Sequence, residues 1–398
     1  MEQNDQMLTQ AREEIDRIDR QMAELFCKRF HAAQRIAEYK RSRGLPVLDP
    51  EREREVILRN AERMEDEQLR PYYVCQLRAT MALSRRYQHF LLEGEKVAYS
   101  GVPGAFAAQA ASSIFPDANL TPYPDFAAAY AAVERGECEC AVLPLENSIG
   151  GDVTQVLDLA YGGSLFVTGV YELEIEQNLL GVAGATLHDV KTVVSHPQAL
   201  SQCASYLRRN GWQTNEAVNT AAAAKAVAER GDMSIAAIGT REAAERYGLC
   251  VLASNIGGSN TNTTRFAVFS RVMRRPQPRD GRFLLFFTVR HQAGALGRAV
   301  AAIGEGGFNL RALKSRPTKQ SNWSYYFFAE GEGNLSDENG RRMLADLRQA
   351  CESVRVLGSY ESDVHLSSDW ADEQQADAAT AVADLAAAEG DGIERAHN

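Results

Sequence analysis

The chain has 398 residues, 45% of them hydrophobic, which is enough to bury more than one core, so two to four domains are expected. The net charge is −10 and no basic stripe interleaved with aromatic residues occurs, which argues against nucleic-acid binding. No segment reads as a membrane span or a secretory signal, so we expect a cytoplasmic protein that does not bind membranes. Seven cysteines without a CxxC pair, and seven histidines without metal-ligand spacing, predict neither a disulfide framework nor a bound metal.

The first forty residues carry an apolar heptad pattern that one cation interrupts. Arg29 stands where an apolar residue is due, in a seam formed by Leu8, Ala11, Ile15, Ile18, Met22, Leu25, Ala32 and Ile36. Burying a guanidinium is costly unless an anion meets it. The pattern therefore predicts a helical bundle that binds a carboxylate or a phosphate.

Two other cations of this helix are distinguished by their distance from Arg29. Lys40 lies on the same face, eleven residues or roughly 16 Å farther along the axis, so both side chains could close on one small dianion. Arg12 lies seventeen residues before Arg29, roughly 25 Å away and off that face. If Arg12 belongs to the same site, it must come from an antiparallel partner chain.

Two further helices are predicted before residue 93. Asp49 followed by Pro50 indicates an N-cap and a first helical residue, which starts a helix that presents Arg52 and Glu53. On a third helix, Ser84 and Gln88 lie one turn apart on one face. For each of these residues alone, a solvated helix surface is the more common explanation.

As a set, these residues resemble the active site of the all-helical chorismate mutases, over about residues 5–92. The matching residues are Arg12, Arg29, Lys40, Asp49, Arg52, Glu53, Ser84 and Gln88. The resemblance implies an intertwined three-helix dimer over residues 1–92, in which Arg12 crosses to the other subunit's site. It also implies that the arginines clamp the carboxylates of chorismate, that Lys40 and Gln88 donate to the ether oxygen and that Glu53 holds the ring hydroxyl.

Beyond residue 95 the pattern changes to short apolar strands that alternate with helices, which predicts an α/β domain over residues 96–271. Polar loops follow several of the strands. Such loops converge at the carboxyl ends of strands, where helix N-termini bind anions, so one polar pocket between two lobes is expected. Each loop taken alone is equally consistent with turn and cap chemistry.

The loop sequences at 144–148, 195–198, 220–223 and 264–266 together resemble those of the prephenate dehydratases. The resemblance implies a two-lobed fold like that of periplasmic binding proteins. It implies that Thr264 donates a hydrogen bond to the leaving ring hydroxyl of prephenate and that Arg265 binds a carboxylate. The other implied substrate-binding residues are Asn147, Ser148, Ser195 and Thr220. These motifs do not separate prephenate from arogenate.

A polar, proline-containing segment at 274–281 predicts a linker, and a βαββαβ order over 282–363 predicts a ferredoxin-like sandwich. This part resembles the ACT regulatory domain, which implies phenylalanine as effector at a dimer interface. The implied effector residues are Gly294, Ala295, Leu296, Ser315, Arg316 and Pro317. Lys314 stands where many relatives carry an acid. Because of the linker, we expect that the last domain can be removed without loss of catalysis.

The C-terminal residues 366–398 contain eight acidic residues against one arginine and few large apolar side chains, and we expect this tail to be disordered.

The whole sequence predicts a homodimer, with a tetramer left open, that makes phenylpyruvate from chorismate by way of prephenate without a cofactor. Three alternatives remain open at this point: a single competent active site, an arogenate-preferring dehydratase, and a non-catalytic amino-acid sensor.

Overall fold

The computed structural model describes residues 2–257, 262–318 and 323–366, and it divides the chain into two compact units, Met1–Lys96 and the residues from Val97 onward. In the part of the chain so described, no helix is long and apolar enough to cross a membrane. The predicted acidic tail lies outside the described residues except for Leu366.

The first unit consists of three helices: α1 (Glu2–Arg43), α2 (Pro50–Glu62) and α3 (Arg70–Glu93). Helix α3 packs against both of the others. The predicted start of α2 is confirmed, because the Asp49 side chain accepts a hydrogen bond of 3.0 Å from the Arg52 backbone N–H, and Pro50 is the first helical residue.

Helix α1 has two apolar faces, only one of which is covered within the unit. Ala33 and Ala37 are buried, one residue past the predicted seam positions 32 and 36. The seam itself is exposed, with Ile15 at 56% and Leu25 at 63% of their full accessible surface. Within the described residues, a single chain therefore leaves much of the heptad stripe of α1 open to solvent.

The second unit begins as two lobes. The first lobe contains β1 (Lys96–Ser100), α4 (Phe106–Ile114), β2 (Asn119–Tyr123), α5 (Phe126–Arg135), β3 (Cys140–Asn147), β4 (Gly151–Asp152), α6 (Thr154–Gly162) and β5 (Phe166–Glu174). The second lobe contains β6 (Asn178–Val182), β7 (Thr192–Ser195), α7 (Pro197–Gln202), α8 (Ala204–Asn210), β8 (Gln213–Glu216), α9 (Thr220–Arg230), β9 (Ile235–Gly239), α10 (Arg241–Tyr247) and β10 (Leu249–Ala253). The chain then returns to the first lobe as β11 (Thr263–Ser270).

Each lobe has its own sheet. The order in the first is β2-β1-β3-β11-β5, and in the second it is β10-β6-β9-β7-β8. Strand β11 is antiparallel to both β3 and β5, and Thr264 lies opposite Asn147 in this register. The two crossings between the lobes, after β5 and before β11, give the two-lobed topology that the sequence predicts.

The remaining elements are β12 (Arg282–Thr288), α11 (Ala295–Glu305), β13 (Asn309–Pro317), β14 (Tyr325–Glu332), α12 (Glu338–Ala350), β15 (Ser353–Tyr360) and β16 (Val364–Leu366). The first four strands form an antiparallel sheet in the order β13-β14-β12-β15. This order and the βαββαβ sequence of elements confirm the predicted ferredoxin-like topology. Strand β16 follows the predicted domain and was not expected.

The ferredoxin-like part is continuous with the first lobe. Strand β15 runs parallel to β5, with Gly358 opposite Val167, and β16 also pairs with β5, so that both parts share one 11-stranded sheet. They also share a core, in which Tyr130 and Phe269 of the lobe lie in the same cluster as Phe286. The segment 274–281 therefore does not separate two independent bodies.

This junction generates a prediction about Gly358. A Cβ at this position would lie 2.1 Å from the carbonyl oxygen of Val167, so Gly358→Ala must push β15 away from β5. We expect the variant to lower the unfolding temperature of the second unit by several degrees in a thermal melt. The matched control is Gly297→Ala, inside α11 with open space around it, which should be neutral or stabilising by about 0.5–1 kcal/mol. Equal melting of Gly358→Ala and the wild type would contradict the continuous sheet.

Candidate functional site

In the helical unit, residues of α1 and α3 face each other around Arg29. Phe30 of α1 and Tyr87 of α3 have ring centroids 5.4 Å apart, which aligns the α1 turn at Arg29 with the α3 turn that carries Gln88. Ser84 and Gln88 are both buried, at 6% and 7% exposure. The sequence prediction that both lie on one buried face of α3 agrees with this placement.

Two polar atoms of this face have no hydrogen-bond partner among the described residues. They are Nη1 of Arg29 and Oε1 of Gln88, and both are inaccessible to solvent. The amide nitrogen of Gln88 makes only a long bond of 3.4 Å, to the carbonyl of Ser84. Because buried polar groups of a folded protein are normally paired, such atoms on two facing helices indicate a site for a polar ligand.

The other predicted residues of this unit have partners or are exposed. Lys40 donates to the carbonyl of Val47 at 2.5 Å, and Arg52 pairs with Glu55 at 2.5 Å on the surface of α2. Glu53 is half-buried and pairs with Arg85, a residue that was not predicted from the sequence.

Arg12 is exposed on α1. It lies on the same helix as Arg29 and seventeen residues before it, so one chain does not bring the two guanidinium groups together.

In the second unit, a cavity of about 630 Å³ opens between the two lobes. Three predicted residues line it, namely Asn147, Thr220 and Thr264. The other polar lining side chains are Ser100, Asp152, Thr154, Gln155, Gln177, His196, Gln198, Gln202 and Asn219. Both lobes therefore contribute to one polar pocket, as the sequence predicts.

Asn147 determines the direction of the hydrogen bond at Thr264. Its Oδ1 accepts from the backbone N–H groups of Ile149 at 3.1 Å and Gly150 at 2.7 Å, so its Nδ2 must be the group that faces Thr264. That nitrogen donates to Oγ1 of Thr264 at 2.9 Å. Since Oγ1 accepts this bond, the hydroxyl hydrogen of Thr264 remains available to donate to a ligand.

A chain of hydrogen-bonded side-chain amides extends from Asn147 into the second lobe. Asn147 also donates to Oδ1 of Asn262 at 2.9 Å, and Asn262 in turn donates to Oε1 of Gln202 at 3.3 Å. Gln177 donates to the same oxygen at 2.9 Å. Thr264 and Asn147 are thus connected to helix α7 through a chain of side-chain amides.

Several residues of this pocket were not predicted from the sequence. His196 and Gln198 belong to the motif at 195–198, and Gln202 lies one helical turn after Gln198, where helical spacing could have indicated it. Gln177 and Asn262 lie in the two crossings between the lobes and carry no local sequence signal.

Two predicted substrate contacts are corrected by the structure. Ser195 is fully buried, and its hydroxyl donates to the carbonyl of Ile238 at 2.9 Å, so it ties β7 to β9. Ser148 accepts a bond of 2.9 Å from the backbone of Thr263 and does not line the cavity. Both serines lie in motif segments next to the pocket, but their hydroxyl groups stabilise the backbone.

The predicted role of Arg265 in binding a substrate carboxylate is also corrected by the structure. Neighbouring residues of a strand point to opposite faces, and Thr264 takes the face of the cavity. The Arg265 guanidinium instead binds Glu330 of β14, at 2.6 and 2.9 Å, and Asp363 at 3.1 Å. Although burial opposes its charge, these carboxylates raise the pKa of Arg265 above its ordinary value. A direct bond from Arg265 to a substrate carboxylate does not fit this geometry.

The predicted effector residues divide into two groups. Ala295 and Leu296 line a cavity of about 540 Å³ at the start of α11. Gly294 is the N-cap residue of this helix and has a φ of +77°. Ser315, Arg316 and Pro317 lie on strand β13 and do not line this cavity. The Arg316 guanidinium is occupied by Asp158 of α6, at 2.7 and 3.0 Å.

Comparison with known proteins matches both units. The family model described as prephenate dehydratase matches residues 97–274, and the one described as chorismate mutase type II matches residues 11–89. A bifunctional chorismate mutase/prephenate dehydratase of Aquifex aeolicus is 34% identical over 364 residues, which cover 89% of this chain and 97% of that protein. This chain belongs to the bifunctional chorismate mutase/prephenate dehydratase family. The predictions of a mutase and of a dehydratase are thereby confirmed.

Two further relatives cover the second unit. Arogenate dehydratase/prephenate dehydratase 1 of Arabidopsis thaliana is 34% identical over 284 residues, 68% of this chain and 72% of that protein. A solved prephenate dehydratase of Arthrobacter aurescens, in complex with L-Phe, is 28% identical with a TM-score of 0.62, and the match covers 73% of this chain and 99% of that one. The likeness supports the two-lobed fold.

Proposed function

We propose that each activity of this family resides in one unit of the chain. The helical unit rearranges chorismate to prephenate, and the two-lobed cavity converts prephenate to phenylpyruvate, in the biosynthesis of phenylalanine. The observation that carries the first assignment is the buried, unpaired Nη1 of Arg29. For the second it is the Thr264 hydroxyl, which Asn147 leaves free to donate into the cavity.

The rearrangement of chorismate is unimolecular, so the helical unit needs no nucleophile. It has to hold a compact dicarboxylate in a folded conformer and stabilise the charge that grows on the ether oxygen. Arg29 and Arg52 present planar donors to the carboxylates, while Lys40 and Gln88 donate to the ether oxygen. Glu53 accepts from the ring hydroxyl, and Asp49 acts as the cap that orients the first turn of α2.

A second copy of the chain supports this site in two ways. The exposed seam of α1, from Leu8 to Leu25, is covered when two such helices pack together. An antiparallel partner also carries its own Arg12 toward Arg29. We therefore propose a homodimer and leave a tetramer open; the cytoplasmic location remains a prediction from the sequence.

In the dehydratase cavity, prephenate loses CO₂ while its ring hydroxyl leaves, and aromatisation of the ring drives both changes. The electron pair of the breaking carbon–carbon bond enters the ring as the carbon–oxygen bond breaks. Thr264 donates a hydrogen bond to the departing oxygen, and the bond from Asn147 strengthens that donor. A threonine is too weak an acid to transfer the proton fully, so its part is electrostatic.

The charge of the cavity favours a keto acid over an amino acid as substrate. Of its described lining residues, Asp152 is the one with a carboxylate, and Lys314 binds it at 2.5 Å. An ammonium group on the substrate, as in arogenate, would have to compete with Lys314 for Asp152. This contact supports prephenate as the preferred substrate.

Phenylalanine is the effector that we propose for the ferredoxin-like part, which we assign to the ACT type. A related dehydratase was solved in complex with L-Phe, and its match extends past residue 274. In this chain Ala295 and Leu296 line a cavity beside the first turn of α11. Since Ser315, Arg316 and Pro317 lie elsewhere, we propose this cavity and not the β13 strand as the effector pocket of a single chain.

The mutase assignment predicts the effect of Arg29→Ala. Loss of this guanidinium, whose Nη1 is buried, should lower the rate of chorismate rearrangement by about 10²–10³-fold, the typical effect of removing one charge-stabilising donor. Dehydration of added prephenate should stay unchanged. The control is Arg17→Ala, which removes an exposed arginine of the same helix. Loss of both activities in Arg29→Ala would point to a role in folding.

The dehydratase assignment predicts the reverse for Thr264→Ala. Phenylpyruvate production from prephenate should fall at least 100-fold while chorismate rearrangement stays intact, because only the donor to the leaving oxygen is lost. Thr264→Ser, which keeps the hydroxyl, should recover much of the rate. Thr263→Ala on the same strand is the matched control. Unchanged phenylpyruvate production in Thr264→Ala would remove this residue from the mechanism.

A further inference from the structure

We propose that Arg265 is a positioning residue of the dehydratase and that the ferredoxin-like part holds it, through Glu330 and Asp363, so that the last strands of the chain belong to the catalytic machinery. This inference rests on the proposed role of Thr264. In this proposal Arg265 does not bind the substrate. It fixes the position of β11, the strand that carries Thr264.

The contact itself is close and largely shielded from water. The Arg265 side chain is 15% exposed, and the side chains of Glu330 and Asp363 are 3% and 9% exposed. The two terminal nitrogens of the Arg265 guanidinium, Nη2 and Nη1, donate to the Glu330 carboxylate at 2.6 and 2.9 Å, which is the bidentate geometry. A buried bidentate pair restricts position more strongly than an exposed ion pair.

Arg311 and Tyr360 complete the cluster from the C-terminal side. Arg311 of β13 donates to Glu330 at 3.2 Å and to Asp363 at 2.6 Å, and the Tyr360 hydroxyl donates to Asp363 at 3.2 Å. Burial raises the pKa of Asp363, but the two arginines outweigh it and hold that pKa below its ordinary value. The carboxylates of Glu330 and Asp363 are therefore held by Arg311 and Tyr360 as well as by Arg265.

The cluster acts on the catalytic pair from the neighbouring positions of two strands. Thr264 and Asn147 are hydrogen-bonded to each other, and their chain neighbours Arg265 and Glu146 lie opposite each other in the same register. Arg265 is held by Glu330, and Glu146 lies 3.4 Å from Lys314 of β13. Each member of the catalytic pair is thus flanked by a charged residue whose partner lies in the ferredoxin-like part.

The backbone beside this cluster is irregular, which makes the restraint consequential. The register of β11 against β3 shifts between Arg265 and Phe266, because β3 carries one extra residue, Leu145, opposite this step. Such a bulge bends the strand and re-aims the side chains beside it. Thr264 and Arg265 lie on the same side of this bulge, so the pairing of Arg265 restrains the part of β11 that carries Thr264.

The test is Glu330→Gln in the full-length chain, which keeps the size of the side chain and removes the charge. We expect kcat for prephenate to fall at least 10-fold with KM changed less than 3-fold, and mutase turnover to stay unchanged. Glu338→Gln is the control, since Glu338 is an exposed carboxylate in the first turn of α12 and lies outside the cluster. Glu330→Asp should recover part of kcat, which a general loss of folding would not allow.

Arg265→Gln separates positioning from direct binding. Positioning predicts the kcat loss of Glu330→Gln with KM nearly constant, and a double variant no worse than either single one, because both act through one contact. A large rise in KM with kcat retained would show that Arg265 binds the substrate and would overturn the proposal. Wild-type kinetics of Glu330→Gln would overturn it as well.

Two further measurements keep the result decisive. If a thermal melt shows that Glu330→Gln is unfolded at the assay temperature, Asp363→Asn, which leaves the bidentate pair intact, should lower kcat 2–5-fold, and no decrease would overturn the proposal. Thr264→Ala distinguishes failure of the proposed role of Thr264 from failure of the positioning role of Arg265. If it retains dehydration, the proposed role of Thr264 fails, and the positioning role of Arg265 fails with it, whereas if it loses dehydration and Glu330→Gln does not, only the positioning role fails.

Discussion

A guanidinium taken out of water must be met by acceptors, and the two units of this chain answer that requirement in opposite ways. Arg265 is met by carboxylates of its own chain and becomes part of the scaffold. Arg29 has a buried nitrogen with no partner among the described residues, which supports our proposal that it binds a ligand. On that proposal, an arginine is a structural group in one unit and a binding group in the other, according to whether the fold supplies the anion.

This difference explains which site residues could be predicted from the sequence. Arg29 could be found because a heptad repeat makes one position comparable with its neighbours, and a cation there stands out. The role of Arg265 could not, because its partners are 65 and 98 residues away in the chain. The loop motifs correctly predicted that Asn147, Thr220 and Thr264 meet, but a motif does not tell which hydroxyl faces the cavity, and Ser195 faces the backbone.

The fold shows the same division between local and long-range information. Alternating strands and helices predicted the ferredoxin-like topology, because that pattern is read over short windows. The segment 274–281 looked like a free linker because it is polar and contains proline. In the structure Arg274 binds the fully buried side chain of Asp280 at 2.7 Å and the carbonyl of Ser359 at 3.0 Å. Polar residues that are solvated and polar residues that are fastened to a neighbouring strand look alike in a sequence.

The two units also differ in what a second copy of the chain would add. The cavity between the lobes is lined by residues of one chain, and its Asn147 and Thr264 lie opposite each other on two strands of that chain. The helical unit instead leaves the apolar seam of α1 exposed, and Arg12 on that helix is out of reach of Arg29. In the homodimer that we propose, packing of two seams would remove apolar area from water, and the same free energy would complete the proposed mutase site. The proposed dehydratase site does not include the seam, so within one polypeptide the two reactions would differ in how far they rely on self-association.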